Sequence, residues 1–292
     1  MSVVISPFFH KASFTLSYVV HCQETLECAI IDPALDFDMY AGKLDNTFAE
    51  QLIDFVEAHS LKVKWIMETH AHADHVTAAT YLKNKLGGKT ACGSQVTSVQ
   101  RTFKTLFNLP EFVDDGSQFD VLVNENDELV LGNSSFKVLE TPGHTPDSVT
   151  YVINDKAFIG DTLFMPDSGT ARCDFPDGSA AELYTSIQKI YALGDDTTLY
   201  MCHDYQPNQR DLAYCCTVAE QKCNNTHVFS GITAEDYAKI RENRDNSLKV
   251  PRLIYPALQL NIHAGQLPPP EASGQYFLKT PLTGVEHLAL KN

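Results

Sequence analysis

The chain has 292 residues, 43% of them hydrophobic, with 22 basic against 37 acidic side chains and a net charge of -15. This length and apolar content suit one large domain, while the acidity argues against nucleic acid and anionic membrane as partners. No stretch approaches the ~20 apolar residues of a bilayer span, residues 1–9 lack the basic and long apolar segments of a secretory leader, and eight cysteines without a Cys-x-x-Cys pair point to reduced thiols in a cytoplasmic protein.

Residues 14–20 and 27–31 read as paired strands, the second ending at Asp32-Pro33. Residues 48–59 have the spacing of an amphipathic helix. The apolar run 63–67 is a buried strand that continues to Thr69, and residues 76–86 read as a helix stopped by Gly87-Gly88. A short strand at 89–91 and a helix at 96–107 follow. Residues 128–131 and 136–140 flank the turn signal Gly132-Asn133-Ser134. Residues 149–153 and 157–159 flank Asn154-Asp155, a second hairpin signal. A helix at 180–193 and a strand at 197–202 come next, then helices at 212–222 and 234–248. From Pro251 the chain is proline-rich and reads as an irregular tail.

Helices follow strands in both halves, and the strand runs include hairpins. The expected fold is α/β, an αββα sandwich of two mixed β-sheets with helices on the outer faces. Residues 1–292 are expected to form one domain, with about 226–292 a helical and irregular extension packed on it.

Between the strand 63–69 and the helix 76–86 lies His70-Ala71-His72-Ala73-Asp74-His75. Asp74 alone would suit a helix cap, but that leaves three histidines unexplained. Imidazole and carboxylate without thiolate suit zinc, iron or manganese. His70 and His72 alternate, so an extended backbone points both to one face. Three more segments place a ligand type just after a strand: His144 in Thr141-Pro142-Gly143-His144, Asp161 in Ile159-Gly160-Asp161, and His203 in Met201-Cys202-His203. Singly, each reads as a loop, turn or cap residue. Together they make a metal centre.

His70, His72, Asp74, His75, His144, Asp161 and His203 resemble, in order and context, the motifs of the metallo-β-lactamase superfamily. In its two-metal members the resemblance implies one ion on His70, His72 and His144. A second would lie on Asp74, His75 and His203, with Asp161 bridging. Ser168-Gly169-Thr170-Ala171-Arg172-Cys173-Asp174-Phe175 and Cys202-His203-Asp204-Tyr205 are similar to the persulfide dioxygenases, also called sulfur dioxygenases. Residues 241–249, Pro256-Ala257-Leu258-Gln259 and Ala264-Gly265-Gln266-Leu267-Pro268 resemble a bacterial branch with a longer C-terminus. One departure is Thr170, where some members, including the mitochondrial type, have cysteine.

That narrower resemblance implies one Fe(II) per chain on His70, His144 and Asp161. His72, Asp74, His75 and His203 would hydrogen-bond around it or form a second metal site. The implied reaction oxidises glutathione persulfide with O2 to sulfite and glutathione, a step of sulfide oxidation. Arg172 would hold an anionic part of the substrate, Tyr205 would hydrogen-bond near the metal, and Asp74 would assist. The rival is a hydrolase with two Zn(II), acting on a hydroxyacylglutathione thioester or a lactone, and the complete second ligand set favours it. A cysteine-based regulatory or sulfur-relay protein is a third class, which the scattered cysteines disfavour. The sequence leaves a homodimer open.

Overall fold

The computed structural model describes residues 3–285. Its first sheet runs β1 (Val3–His10), β2 (Thr15–Cys22), β3 (Glu27–Ile31), β6 (Lys62–Met67), β8 (Lys89–Gly93) and β9 (Val121–Val123), adjacent in that order. The second runs β10 (Glu128–Leu131), β11 (Ser134–Glu140), β12 (Val149–Ile153), β13 (Lys156–Phe158), β14 (Thr198–Tyr200) and β15 (Cys215–Thr217). A small third sheet joins β4 (Ala34–Asp38), β5 (Lys43–Asp45) and β7 (Val76–Thr77). Hairpins open both large sheets. Their later strands become parallel through α1 (Thr47–Ala58), α2 (Ala79–Leu86) and α4 (Ala180–Tyr191), with α3 (Val96–Leu106) between β8 and β9.

The first sheet is buried on both faces, and the two-residue period decides what each side chain meets. Val19, Ile30 and Ile66 face Phe48, Leu52, Ile53 and Val56 of α1 and Leu82 of α2. Tyr18, Ile31 and Met67 face Phe136, Val138, Tyr151 and Phe158 of the second sheet. Each fully buried side chain of this size contributes roughly 1.5–3 kcal/mol. Leu183, Ile187 and Ile190 of α4 join the inter-sheet cluster. The expected αββα sandwich is therefore present.

Hydrogen bonds across the sandwich bring the carboxyl ends of the two sheets together. The Tyr151 hydroxyl donates to the Glu68 carbonyl over 2.9 Å, and Val149 N–H donates to the Thr69 carbonyl over 2.8 Å. Leu16 N–H donates to Cys202 O over 2.7 Å. Functional side chains gather at carboxyl ends of strands in open α/β sheets, and here this edge is shared by both sheets.

Three expected elements are corrected. The helix placed at 76–86 begins only at Ala79, because β-branched Val76 and Thr77 pair with Leu35 and Ala34. The Thr77 hydroxyl then receives Ala79 N–H at 3.0 Å. The helix placed at 212–222 is strand β15 followed by α5 (Val218–Asn224), started by a capping box between Thr217 and Glu220. The tail from Pro251 contains α7 (Ile254–Asn261). Pro256 lies in its first turn, where the missing N–H breaks no helical bond. The helix expected at 234–248 is α6 (Ala234–Asp245). Of the C-terminal extension, residues 286–292 lie outside the described residues.

Candidate metal centre

Strands β6, β13 and β14 stop three residues before His70, Asp161 and His203; His72, Asp74 and His75 continue the loop after β6, and His144 sits in the loop between β11 and β12. Asp161 follows β13 through Gly160, whose φ of +52° is left-handed and whose missing Cβ leaves room for the Thr69 hydroxyl, 2.7 Å from where that carbon would be. His70, His144 and Asp161 form one group with ligand atoms within 4.8 Å of one another. Asp161 Oδ2 lies 3.9 Å from His70 Nε2 and 3.7 Å from His144 Nε2. His72, Asp74, His75 and His203 form a second group on the same criterion. Asp161 Oδ1 lies 3.3 Å from His203 Nε2, so its carboxylate faces both groups.

Each histidine is anchored through one nitrogen and leaves the other toward the centre. His144 Nδ1–H donates to the Arg172 carbonyl (2.7 Å), and His70 Nδ1–H donates to the Thr69 hydroxyl (3.1 Å), which itself donates to Asp32. His203 Nδ1–H faces the Phe14 carbonyl at 3.3 Å, and His75 Nδ1–H faces the Thr15 hydroxyl at 3.2 Å. His70 Nε2, His72 Nδ1, His75 Nε2, His203 Nε2, Asp74 Oδ2 and Asp161 Oδ1 are buried without a hydrogen-bond partner. A cluster of buried, unpaired ring nitrogens and carboxylate oxygens is costly unless a cation satisfies it. Anchoring each ring on a protein acceptor sets the tautomer a metal needs. The residues fit a metal ion.

His72 differs from its neighbours. Its ring lies beside that of His70, with centroids 4.0 Å apart. Yet its Nε2–H points to the Asp32 carboxylate (3.0 Å) and lies 3.3 Å from Glu68. Burial lowers the His72 pKa, but the two carboxylates outweigh it and raise it well above the ordinary value. Burial, followed by the surrounding imidazoles, pushes His70 well below its ordinary value. Burial raises Glu68. Against burial, His72 and the Thr69 hydrogen bonds hold Asp32 down.

A model of the Metallo-beta-lactamase superfamily matches residues 11–203, a stretch that holds both ligand groups. The chain belongs to the metallo-β-lactamase superfamily. A probable metallo-hydrolase of Burkholderia pseudomallei is 47% identical, over 97% of this chain and 100% of its own. The beta-lactamase hydrolase-like protein of Agrobacterium fabrum is 49% identical over 97% of this chain, which spans only 65% of that relative. The mitochondrial persulfide dioxygenase of Homo sapiens is 29% identical, over 90% of this chain and 89% of its own. Among solved structures, ETHE1 from Myxococcus xanthus has a TM-score of 0.73 at 28% identity, covering 90% of this chain and 100% of that one.

In this metallo-β-lactamase relative a cavity of about 620 Å³ opens over the centre, lined by Asp74, His144, Asp161, Phe164, Arg172, Tyr205, His227, Arg241 and Arg244 among others. The Arg172 guanidinium holds Asp174 through two bonds (2.5 and 2.6 Å) and the Lys249 carbonyl at 2.8 Å. Arg241 is buried and bonds Asp245 and the Thr170 carbonyl, both at 2.7 Å. Arg244 lines the same wall, and among the described residues its side chain has no hydrogen-bond or ion-pair partner. Tyr205, 46% exposed, stacks its ring on His203 at 5.7 Å. The departure at Thr170 is accommodated structurally: its hydroxyl accepts from Tyr237 at 3.0 Å.

Sequence reasoning brought together every ligand candidate but missed Asp32, Glu68, Thr69, Arg244 and Asn261. Asp32 carries the same signature as Asp161, a carboxylate directly after an apolar strand. Glu68 and Thr69 adjoin the histidine motif. No local signal marks Arg244 or Asn261, which reach the centre only through the packing of the C-terminal segment.

Proposed function

We propose that this chain is a non-haem Fe(II) persulfide dioxygenase that converts glutathione persulfide, O2 and water to sulfite and glutathione. The observation that carries this reading is the grouping of His70, His144 and Asp161 as one ligand set, while the open Nδ1 of His72 falls in the set with Asp74, His75 and His203. Two imidazoles and one carboxylate are a ligand set that would leave a ferrous ion positions for O2 and substrate. Ferrous iron on these three residues would supply the redox chemistry that joins O2 to the outer persulfide sulfur.

The chain's own residues do the rest. Thr69 and the Arg172 carbonyl orient His70 and His144. Phe164 and the Tyr205 ring wall the cavity and limit water. The Tyr205 hydroxyl lines the same cavity and would donate a hydrogen bond to the substrate near the centre. Arg172 braces the loop and presents its remaining N–H groups. Among the described residues that line the cavity, Arg244 is a cation without a side-chain hydrogen-bond or ion-pair partner and would take a substrate carboxylate, of which a glutathione derivative has two. The similarity to the human persulfide dioxygenase and to the Myxococcus protein supports this reading. The free cysteines accord with a reducing cytoplasm.

A second reading is a hydrolase with two Zn(II) acting on a glutathione thioester or a lactone. The group of His72, Asp74, His75 and His203, together with the double-facing Asp161, favours it. So does the likeness to a probable metallo-hydrolase. The deciding experiment is metal analysis of protein purified without oxygen, paired with O2 uptake on glutathione persulfide. About one iron per chain with stoichiometric O2 uptake supports the dioxygenase. Full activity on a thioester with about two zinc ions, and no O2 uptake, replaces it with the hydrolase.

A further inference from the structure

The C-terminal segment penetrates to the loop that carries the ligands. Asn261, the last residue of α7, is 4% exposed. Its amide nitrogen donates to the carbonyl oxygens of His72 (2.7 Å) and His75 (2.8 Å). Its amide oxygen accepts the N–H of Thr77 at 2.9 Å. The loop between β6 and β7 has no sheet ladder to satisfy these backbone groups, and buried ones rarely stay unpaired. A carboxamide offers two donors and an acceptor at one point, which an aspartate or an apolar residue does not.

The approach of α7 is itself fixed. Leu258 and Ile262 share an apolar cluster with Ala71 and Ala73, the two alanines between the ligands. The Thr80 hydroxyl donates to Ala264 O at 2.7 Å, and the Gln100 amide donates to Ile262 O at 2.9 Å.

We propose that Asn261 is a positioning residue of the metal centre. It holds the loop from His70 to Thr77 in the shape that makes His70, His72, Asp74 and His75 converge. Metal affinity therefore depends on the docking of a helix that lies beyond the residues matched to the superfamily. This rests on the metal-centre part of the proposed function and not on the choice of reaction, because metal binding alone reads it out.

The test uses the full chain, stripped of metal and titrated with Co(II) against a competing chelator, with the visible absorption of the bound ion recorded. Asn261→Asp keeps the acceptor for Thr77 N–H but turns an oxygen toward two carbonyls. It should bind Co(II) about 10–100-fold more weakly, as expected on losing a group that orients ligands, and its absorption bands should shift. Gln259→Ala removes bonds from α7 to the tail at Lys279 but none to the ligand loop, so it should bind Co(II) as the unaltered protein does. Far-UV circular dichroism of the metal-free variants establishes that both are folded. If Asn261→Asp does not fold, Asn261→Ser, which buries no charge, is read in the same way. A folded Asn261 variant with unaltered affinity and spectrum overturns the proposal. So does an equal loss in Gln259→Ala, which would make the effect one of general stability. Absence of Co(II) binding by the unaltered chain removes the metal centre itself, and is thereby distinguishable.

Discussion

His72 Nε2 lies 3.0 Å from the Asp32 carboxylate, a bond that fixes the ring and leaves Nδ1 as its open nitrogen. With Glu68 at 3.3 Å on the same nitrogen, the ring is held between two acids. Its remaining nitrogen faces the group that contains Asp74, His75 and His203. The consequence is an asymmetric centre with different expected losses on substitution.

Alanine at His70, His144 or Asp161 should abolish iron binding, whereas His72→Ala or His203→Ala should retain iron with about 10–100-fold weaker binding or turnover. Elemental analysis of protein purified without oxygen checks this. Equal metal loss in His72→Ala and His144→Ala would sink the one-metal assignment.

Asp32→Asn should behave like the His72 variant. Asp32 accepts from His72, from the Thr69 hydroxyl and from Thr69 N–H at 2.7 Å, so it supports two ligand-bearing residues at once. The expected result is weakened metal binding, read by chelator competition, with secondary structure retained. Unaltered affinity would reduce Asp32 to a packing role.

Arg172→Lys should keep iron content and melting temperature near those of the unaltered protein, because the bond to half-exposed Asp174 is of the kind worth ~1 kcal/mol or less. Lysine cannot reproduce the fork that braces Asp174 and presents donors to the cavity, so catalytic efficiency on glutathione persulfide should fall. Arg172→Ala should be worse, by roughly 1.5–3 kcal/mol of lost charge-assisted bonding. Oxygen uptake against substrate concentration measures both, and unaltered kinetics in Arg172→Ala would return the residue to a surface role.

Arg241→Ala tests the opposite case, a buried pair. Arg241 is 2% and Asp245 8% exposed. Removing the cation leaves an uncompensated carboxylate and should cost about 3–5 kcal/mol in urea unfolding. Asp245 also receives Cys173 N–H at 2.8 Å, so the loop that presents Arg172 should loosen with it. A loss below ~1 kcal/mol would show that the pair is solvated in solution.

The metal-free protein should lose stability as pH falls from about 6.5 toward 4. Burial, then the His72 charge, lowers His75 from 6.5 to about 4, and His70 is lowered in the same direction. In this window the unfolded chain binds more protons than the folded one, so unfolding becomes easier as acid is added. His72 is raised instead, so its contribution is already complete below 6.5, while Glu68, raised by burial, takes up a proton in the folded chain and offsets part of the slope near its lower end. His75 alone corresponds to about 3 kcal/mol over the window. Urea midpoints of the metal-free chain at several pH values measure this, and a flat profile would contradict it.

The sequence by itself determined the sandwich and the ligand cluster. Period-two burial and turn residues between apolar runs are local signals, as with Gly132-Asn133-Ser134 between β10 and β11. Ligand residue types just after apolar runs are a local signal, so the candidates His70, His144, Asp161 and His203 were visible without coordinates. Only the tertiary structure decided how those ligands divide. His72 falls in a different group from His70, and its ring is fixed by a hydrogen bond to Asp32, forty positions away. The same holds for α7: prolines near Pro251 mask a helix that forms because Leu258 and Ile262 find an apolar partner in Ala71 and Ala73. Helix propensity is weak over so short a segment, and burial against distant residues overrides it.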